Sequence, residues 1–209
     1  MAAPITHIVL TDKVFNKFFH NKDRKDFFIG TVFPDIRYIT NIDRLRTHFS
    51  LRSVDLNHIN KEKDSFLAGL RFHSLVDDVR ERFIRSKNVY SLIPESKYKT
   101  QALKILEDKL YYDKVDNWNE IIDFFDKILP EELDFNIKEQ DIKKWHGILQ
   151  RYFSKKPDKD SMEVFARDLN FSEEIQEEIT NLIEKIRTDK KIKQASEEFY
   201  NNFESFIES

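Results

Sequence analysis

Only three glycines and five prolines interrupt 209 residues. Strands and hairpins need turn chemistry that such a chain largely lacks, whereas helices can run long without it. The sequence therefore predicts an all-α fold. Its 40% hydrophobic and 35% charged residues suit amphipathic helices around a core rather than a disordered chain. Nineteen phenylalanines are available to fill the gaps between those helices. There is no cysteine, so any metal must be held by His, Asp and Glu, and neither disulfides nor thiolate sites are open to the chain. A net charge of −3 gives no overall basic field to draw nucleic acid. The local cluster Lys190-Lys191-Ile192-Lys193 reads as a solvated helix face.

The N-terminal segment MAAPITHIVLTDKVF has no basic leader and no long apolar core, so no signal peptide is expected. No run nears the roughly 20 apolar residues of a membrane span. A cytoplasmic protein is the expectation.

Hydrophobic spacing and caps predict a first helix from Thr11 to about Phe19 and a second from Asp23 or Arg24 to Phe33, stopped by Pro34. Residues 36–60 read as a long irregular stretch with short turns, a feature that is more often functional than decorative. A strong pattern follows from about Lys61 to Ser86, with Asp64 as a cap or charge near its start. Further helices are expected at Ser96–Tyr112, Trp118–Leu129 (ended by Pro130), Ile137–Phe153, Ser161–Leu169, Ser172–Arg187 with Ser172 as cap, and Asp189–Ile207. The last carries Phe199, Phe203 and Phe206 as a stripe suited to its own core or to a partner. The sum is a single helical domain of roughly eight to ten helices. Residues 1–154 would form a metal-binding core and 155–209 a C-terminal extension packed on it, with Lys155–Asp160 as the exposed loop between them.

Four features carry chemistry. On the long helix, His73 and Asp77 are one turn apart and can both reach one ion. Gly69 lies one turn earlier, where glycine costs roughly 1 kcal/mol, so something must approach the backbone closely there. The plainer alternative is helix–helix packing at Gly69, with Asp77 paired to Arg71 or Arg80. Gly30-Thr31-Val32-Phe33-Pro34-Asp35 places a carboxylate just past a broken helix. His48 sits in the irregular stretch, and Thr6-His7 precedes the first expected helix. Among the other histidines, His146 beside Trp145 reads as packing, and His20 and His58 as exposed. Arg44, Arg46 and Arg52 flank His48 and are candidates to hold a substrate phosphate, the alternative being a surface loop enriched in arginine. No nucleotide loop, nucleophile elbow or dinucleotide fingerprint is present.

In this order the four features resemble the zinc-dependent phospholipase C family, within the superfamily that includes the P1-type nucleases. The matching residues are Thr6-His7, the block Phe27 to Asp35, His48, and the run Gly69-x-x-x-His73-x-x-x-Asp77. The resemblance covers roughly residues 1–115. It implies one metal site of Asp35, His48, His73 and Asp77, with His7 at a second metal and Asp77 bridging. It implies zinc, one or two ions, with manganese or iron as alternatives. The implied activity is hydrolysis of a phosphodiester by metal-activated water, with Asp35 as a candidate base. Secreted members carry a His-x-x-x-Glu helix; the equivalent helix here, Leu103 to Leu110, has no histidine and offers Glu107 and Asp108 as possible ligands. The alternative for these two is a surface acid pair beside Lys104 and Lys109. That helix also resembles the acyl-carrier-protein phosphodiesterases, a related substrate class. A metal-stabilised helical interaction protein without turnover is the reading from a different class.

Overall fold

The computed structural model describes residues 2–49 and 54–208. The chain forms twelve α-helices among these residues, with short 3-10 turns between some of them and no strand. They are α1 (Pro4–Phe18), α2 (Arg24–Val32), α3 (Arg44–Thr47), α4 (Leu56–Lys61), α5 (Ser65–Ser86), α6 (Lys99–Tyr111), α7 (Trp118–Phe124), α8 (Pro130–Leu133), α9 (Glu139–Phe153), α10 (Lys159–Asp168), α11 (Glu173–Ile186) and α12 (Lys190–Glu208). The all-α expectation holds. The larger number of helices comes from α3, α4 and α8, each too short to show a periodic pattern in sequence. No helix among the described residues is long and apolar enough to cross a membrane.

The first helix starts seven residues earlier than its spacing suggested. Pro4 occupies the first turn, where a missing N–H costs nothing. Thr11 is interior, and its hydroxyl bonds the His7 carbonyl at 2.7 Å rather than capping anything. Every residue from Pro4 to Thr11 is buried, so the free N–H groups of the first turn have no water to turn to. Asp108 of α6 meets them: its carboxylate accepts from Thr6 N at 2.7 Å, Ile5 N at 3.3 Å and the Thr6 hydroxyl at 2.7 Å. One side chain thus caps a helix about a hundred residues away.

The central pairing is α2 against α5. A Cβ on Gly30 would lie 2.0 Å from the Phe66 carbonyl oxygen, and one on Gly69 would lie 2.0 Å from that of Phe27. Two glycines therefore let two backbones touch, so the reason for Gly69 is helix packing. Phe27, Phe66 and Phe72 are fully buried around this crossing. Asp64 is the cap of α5, accepting from Leu67 N at 3.0 Å, which moves the helix start from Lys61 to Ser65. Past α2 the chain tightens into a 3-10 turn over Phe33–Tyr38 that carries Asp35. Pro130 does not end α7, which stops at Phe124; it opens α8 instead. Ser172 stands at the start of α11 without a side-chain bond, whereas Asp158 within the Lys155–Asp160 segment caps α10.

Residues beyond Ser154 lie against the front of the molecule. Helix α11 packs on α6, and α12 packs on α5, α1 and α6. The Phe199 ring lies 5.2 Å from that of Phe83, and the Tyr111 hydroxyl donates to the Ser196 carbonyl at 2.7 Å.

Candidate metal centre

The α2–α5 contact places His73 directly under the last turn of α2. Its Nδ1–H donates to the Thr31 carbonyl at 2.8 Å. That bond fixes the tautomer, so Nε2 keeps its lone pair and faces away from α2. One turn on, Asp77 presents Oδ2 at 3.5 Å from His73 Nε2. The same oxygen is 4.0 Å from His48 Nε2, while Oδ1 is 3.4 Å from His7 Nε2. The Ala2 backbone N–H also donates to Oδ1, at 2.6 Å. Neither Arg71 nor Arg80 is the partner of Asp77: Arg71 pairs with Glu62 and Arg80 with Glu107.

His48 follows α3, and its position rests on two neighbours. The Phe49 N–H donates to the Ser74 hydroxyl of α5 at 3.1 Å. The Thr47 hydroxyl donates to the Arg44 carbonyl and can therefore accept from His48 Nδ1, 3.0 Å away. That leaves Nε2 of His48, like that of His73, as the atom turned to the centre. His7 comes from α1, and its ring stacks on His73 with centroids 4.0 Å apart.

The donor atoms fall into two overlapping groups. His7, Asp35 and His73 bring ligand atoms within 4.8 Å of one another, and so do His48, His73 and Asp77. All five residues are buried, between 0% and 7% exposed. His7 Nε2, His48 Nε2, His73 Nε2 and Asp35 Oδ1 are sealed from solvent and have no hydrogen-bond partner among the described residues. Buried polar atoms are ordinarily satisfied, so four orphans converging on one spot need an explanation that packing does not give. A divalent cation gives one, because imidazole nitrogens and carboxylate oxygens are the donors that borderline ions such as zinc accept.

Electrostatics agree with neutral imidazoles. Burial lowers the His7 pKa to about 4, with the neighbouring His73 acting in the same direction and the Asp77 carboxylate opposing it. Burial likewise lowers His48 to about 3, aided by His73 and by Arg44. Asp77 is held well below its usual value: desolvation would raise it, and the charge and hydrogen bonds of the surrounding groups, His73 foremost, outweigh that.

The structure does not bring Glu107 and Asp108 to this cluster, nor does it leave them on the surface. Glu107 Oε2 takes Arg80 Nε at 2.7 Å and Nη2 at 2.6 Å in a fully buried ion pair between α5 and α6. Asp108 is the cap of α1 and also accepts from the Tyr152 hydroxyl at 3.1 Å. Burial pushes its carboxyl up to about 7 against those donated bonds. Arg44 and Arg46 are exposed on α3, and Arg52 lies outside the described residues. His146 is buried between the Phe125 carbonyl, at 3.1 Å, and Glu132 Oε1, at 2.8 Å, while His20 and His58 are exposed.

One residue was hidden in the sequence. Lys104, which reads as a surface lysine, is only 6% exposed. It lines a cavity of about 40 Å³ together with Asp35, Tyr38, Gln101 and Trp145. Comparison with known proteins finds no family model, curated protein or solved structure that matches the chain.

Proposed function

We propose that this protein is a metal-dependent phosphoric-ester hydrolase, most simply a phosphodiesterase of the kind that the resemblance to the zinc-dependent phospholipase C family implies. One observation carries the reading: three imidazoles and the Asp35 and Asp77 carboxylates form two overlapping buried groups, with four of their donor atoms unbonded among the described residues. His48, His73, Asp35 and Asp77 would hold one zinc ion, and His7 would contribute to a second, with manganese or iron as alternatives. When bound, such an ion polarises a phosphoryl oxygen and lowers the pKa of water toward about 7.

The chain's own residues do the rest. The Thr31 carbonyl engages the His73 Nδ1–H, so Nε2 is the nitrogen left to coordinate. Burial keeps His7 and His48 neutral at ordinary pH for the same purpose. Asp35 Oδ1, which has no donor, is positioned to take the proton of the attacking water, and the departing alcohol recovers a proton as the ester bond breaks. Arg44, in the helix before His48, and Arg46 would meet substrate oxygens at the surface.

Elemental analysis of the purified chain and hydrolysis of bis(p-nitrophenyl) phosphate test this together. His73→Ala and Asp77→Ala should each lose metal and turnover. Asp35→Asn should slow hydrolysis by about a hundredfold or more. Full activity in the His73 or Asp77 variant would refute the reading.

The depth of the site favours a second reading. With donor residues no more than 7% exposed and a cavity of about 40 Å³ beside them, an ion could serve to hold α1, α2 and α5 together without turnover. Stoichiometric metal in a protein inert to a panel of phosphodiesters would select it.

A further inference from the structure

We infer that Lys104 is the residue that holds the charge of the substrate's phosphoryl group. This assignment rests on the metal reading above and adds to it a residue and a requirement for an anion. A lysine is almost never this buried without an ion-pair partner. Lys104 makes no hydrogen bond or ion pair among the described residues; its nearest ring contact is Tyr38, with Nζ 5.9 Å from the centroid. Burial alone would lower its pKa. Tyr38 and the carboxylates of Asp35 and Asp77 outweigh burial and hold the ammonium form above its ordinary value.

Charge in the cluster then sets the requirement. The candidate ligands are three imidazoles and two carboxylates, and Lys104 lines the cavity that Asp35 shares with them. One or two divalent cations held there would add positive charge to that of the Lys104 ammonium. Charge of one sign in a dry interior is costly, and an anion entering the cavity relieves it. The cavity has the wall for such a guest. Lys104 and Asp35 share it, and Trp145, itself 1% exposed, brings an indole Nε1–H that has no acceptor. A phosphoryl group offers oxygens to an ammonium and an indole donor, and Asp35 joins this cavity to the candidate metal ligands. Tyr38 and Gln101 add polar groups to the wall, and Phe165, Leu169 and Phe171 close it with apolar surface.

Calorimetric titration of zinc into the metal-free full-length protein, then of inorganic phosphate into the zinc-loaded form, tests the assignment on wild type and on Lys104→Met. Removing the ammonium should strengthen zinc binding, because a repulsion is gone. Phosphate binding should weaken by about ten- to hundredfold, the loss of one charge-assisted bond. A lysine that merely balanced Asp35 and Asp77 would also strengthen zinc on removal but leave phosphate unchanged, so phosphate affinity within twofold of wild type overturns the assignment. Lys104→Arg keeps the charge and should retain phosphate; it and Lys104→Gln carry the test if the Met variant does not fold. Zinc failing to bind wild type would defeat the metal reading and this assignment with it. Normal zinc binding with unchanged phosphate affinity in the variants would defeat this assignment alone.

Discussion

At His7 and His48, burial sets a clear direction for stability against pH in the metal-free protein. Both rings resist protonation when folded, with pKa values near 4 and 3, whereas the unfolded chain titrates near 6.5. As pH falls through 6.5 the unfolded state binds protons that the folded state refuses, so stability drops toward acid. For His7 the slope is about 1.4 kcal/mol per pH unit down to its folded pKa, and His48 acts in the same direction. Urea denaturation of metal-free protein between pH 7 and 5 should show this loss, and His7→Gln should flatten it. An unchanged slope in that variant would contradict the burial argument. At this scale the sequence revealed a good deal. His73 and Asp77 share a face because the helical period requires it, and Asp35 follows a proline that ends regular α-helix. Lys104 was illegible, because its neighbours Glu107 and Asp108 make it look like part of a polar face. All residues from Ala102 to Asp108 are in fact buried, since α1, α11 and α12 cover α6 on different sides.

Between elements, the α2–α5 crossing is the device that builds the centre. Thr31 and Asp35 belong to the end of α2 and the turn after it, and His73 and Asp77 belong to α5. Their spacing depends on two backbones in contact. Gly69→Ala would drive a Cβ to 2.0 Å from the Phe27 carbonyl, a clash that rigid backbone cannot absorb locally. It should destabilise the protein by about 2–4 kcal/mol, in the range of severe overpacking, and lower zinc affinity as His73 parts from Thr31. Gly147→Ala is the control. Its Cβ would meet only the tip of Arg151 at 3.6 Å, and the helix propensity gained should stabilise by about 0.5–1 kcal/mol. Equal effects of the two substitutions in chemical denaturation would show that the crossing is not the constraint. Sequence gave a reason to notice Gly69 but not to prefer helix packing over a ligand's approach. Either would exclude a side chain, and only the partner backbone distinguishes them. The start of α2 was legible because its cap, Asp23, is local, whereas that of α5 was expected at Lys61 and lies at Ser65, after its cap Asp64. The start of α1 was less legible, because its cap, Asp108, comes from another helix.

For the whole molecule, the C-terminal helices are part of what holds the His/Asp cluster in place. Phe199 and Phe203 are fully buried, the first against Phe83 and the second 6.2 Å from Phe72, the residue beside His73. Losing such a ring costs about 3–5 kcal/mol, and two approach the whole stability of an ordinary domain, about 5–15 kcal/mol. A chain ending at Ser154 should therefore show no cooperative thermal transition, and a sharp transition in that fragment would show that the front half folds alone. Phe165, Leu169 and Phe171 also wall the cavity beside Asp35, so the segment beyond Ser154, which offers no residue of the His/Asp cluster, still shapes the site. The sequence by itself determined the helices and the one-turn spacing of His73 and Asp77. Those follow from local rules: few glycines, apolar period, and side chains i and i+4 on one face. Tertiary structure alone decided that His7 and His48 join them, that Glu107 and Asp108 are spent on Arg80 and the α1 cap, and that Lys104 lies inside. Each of those depends on which buried group finds a partner across a hundred residues or fewer of intervening chain, and desolvation sets that outcome only once the helices have packed.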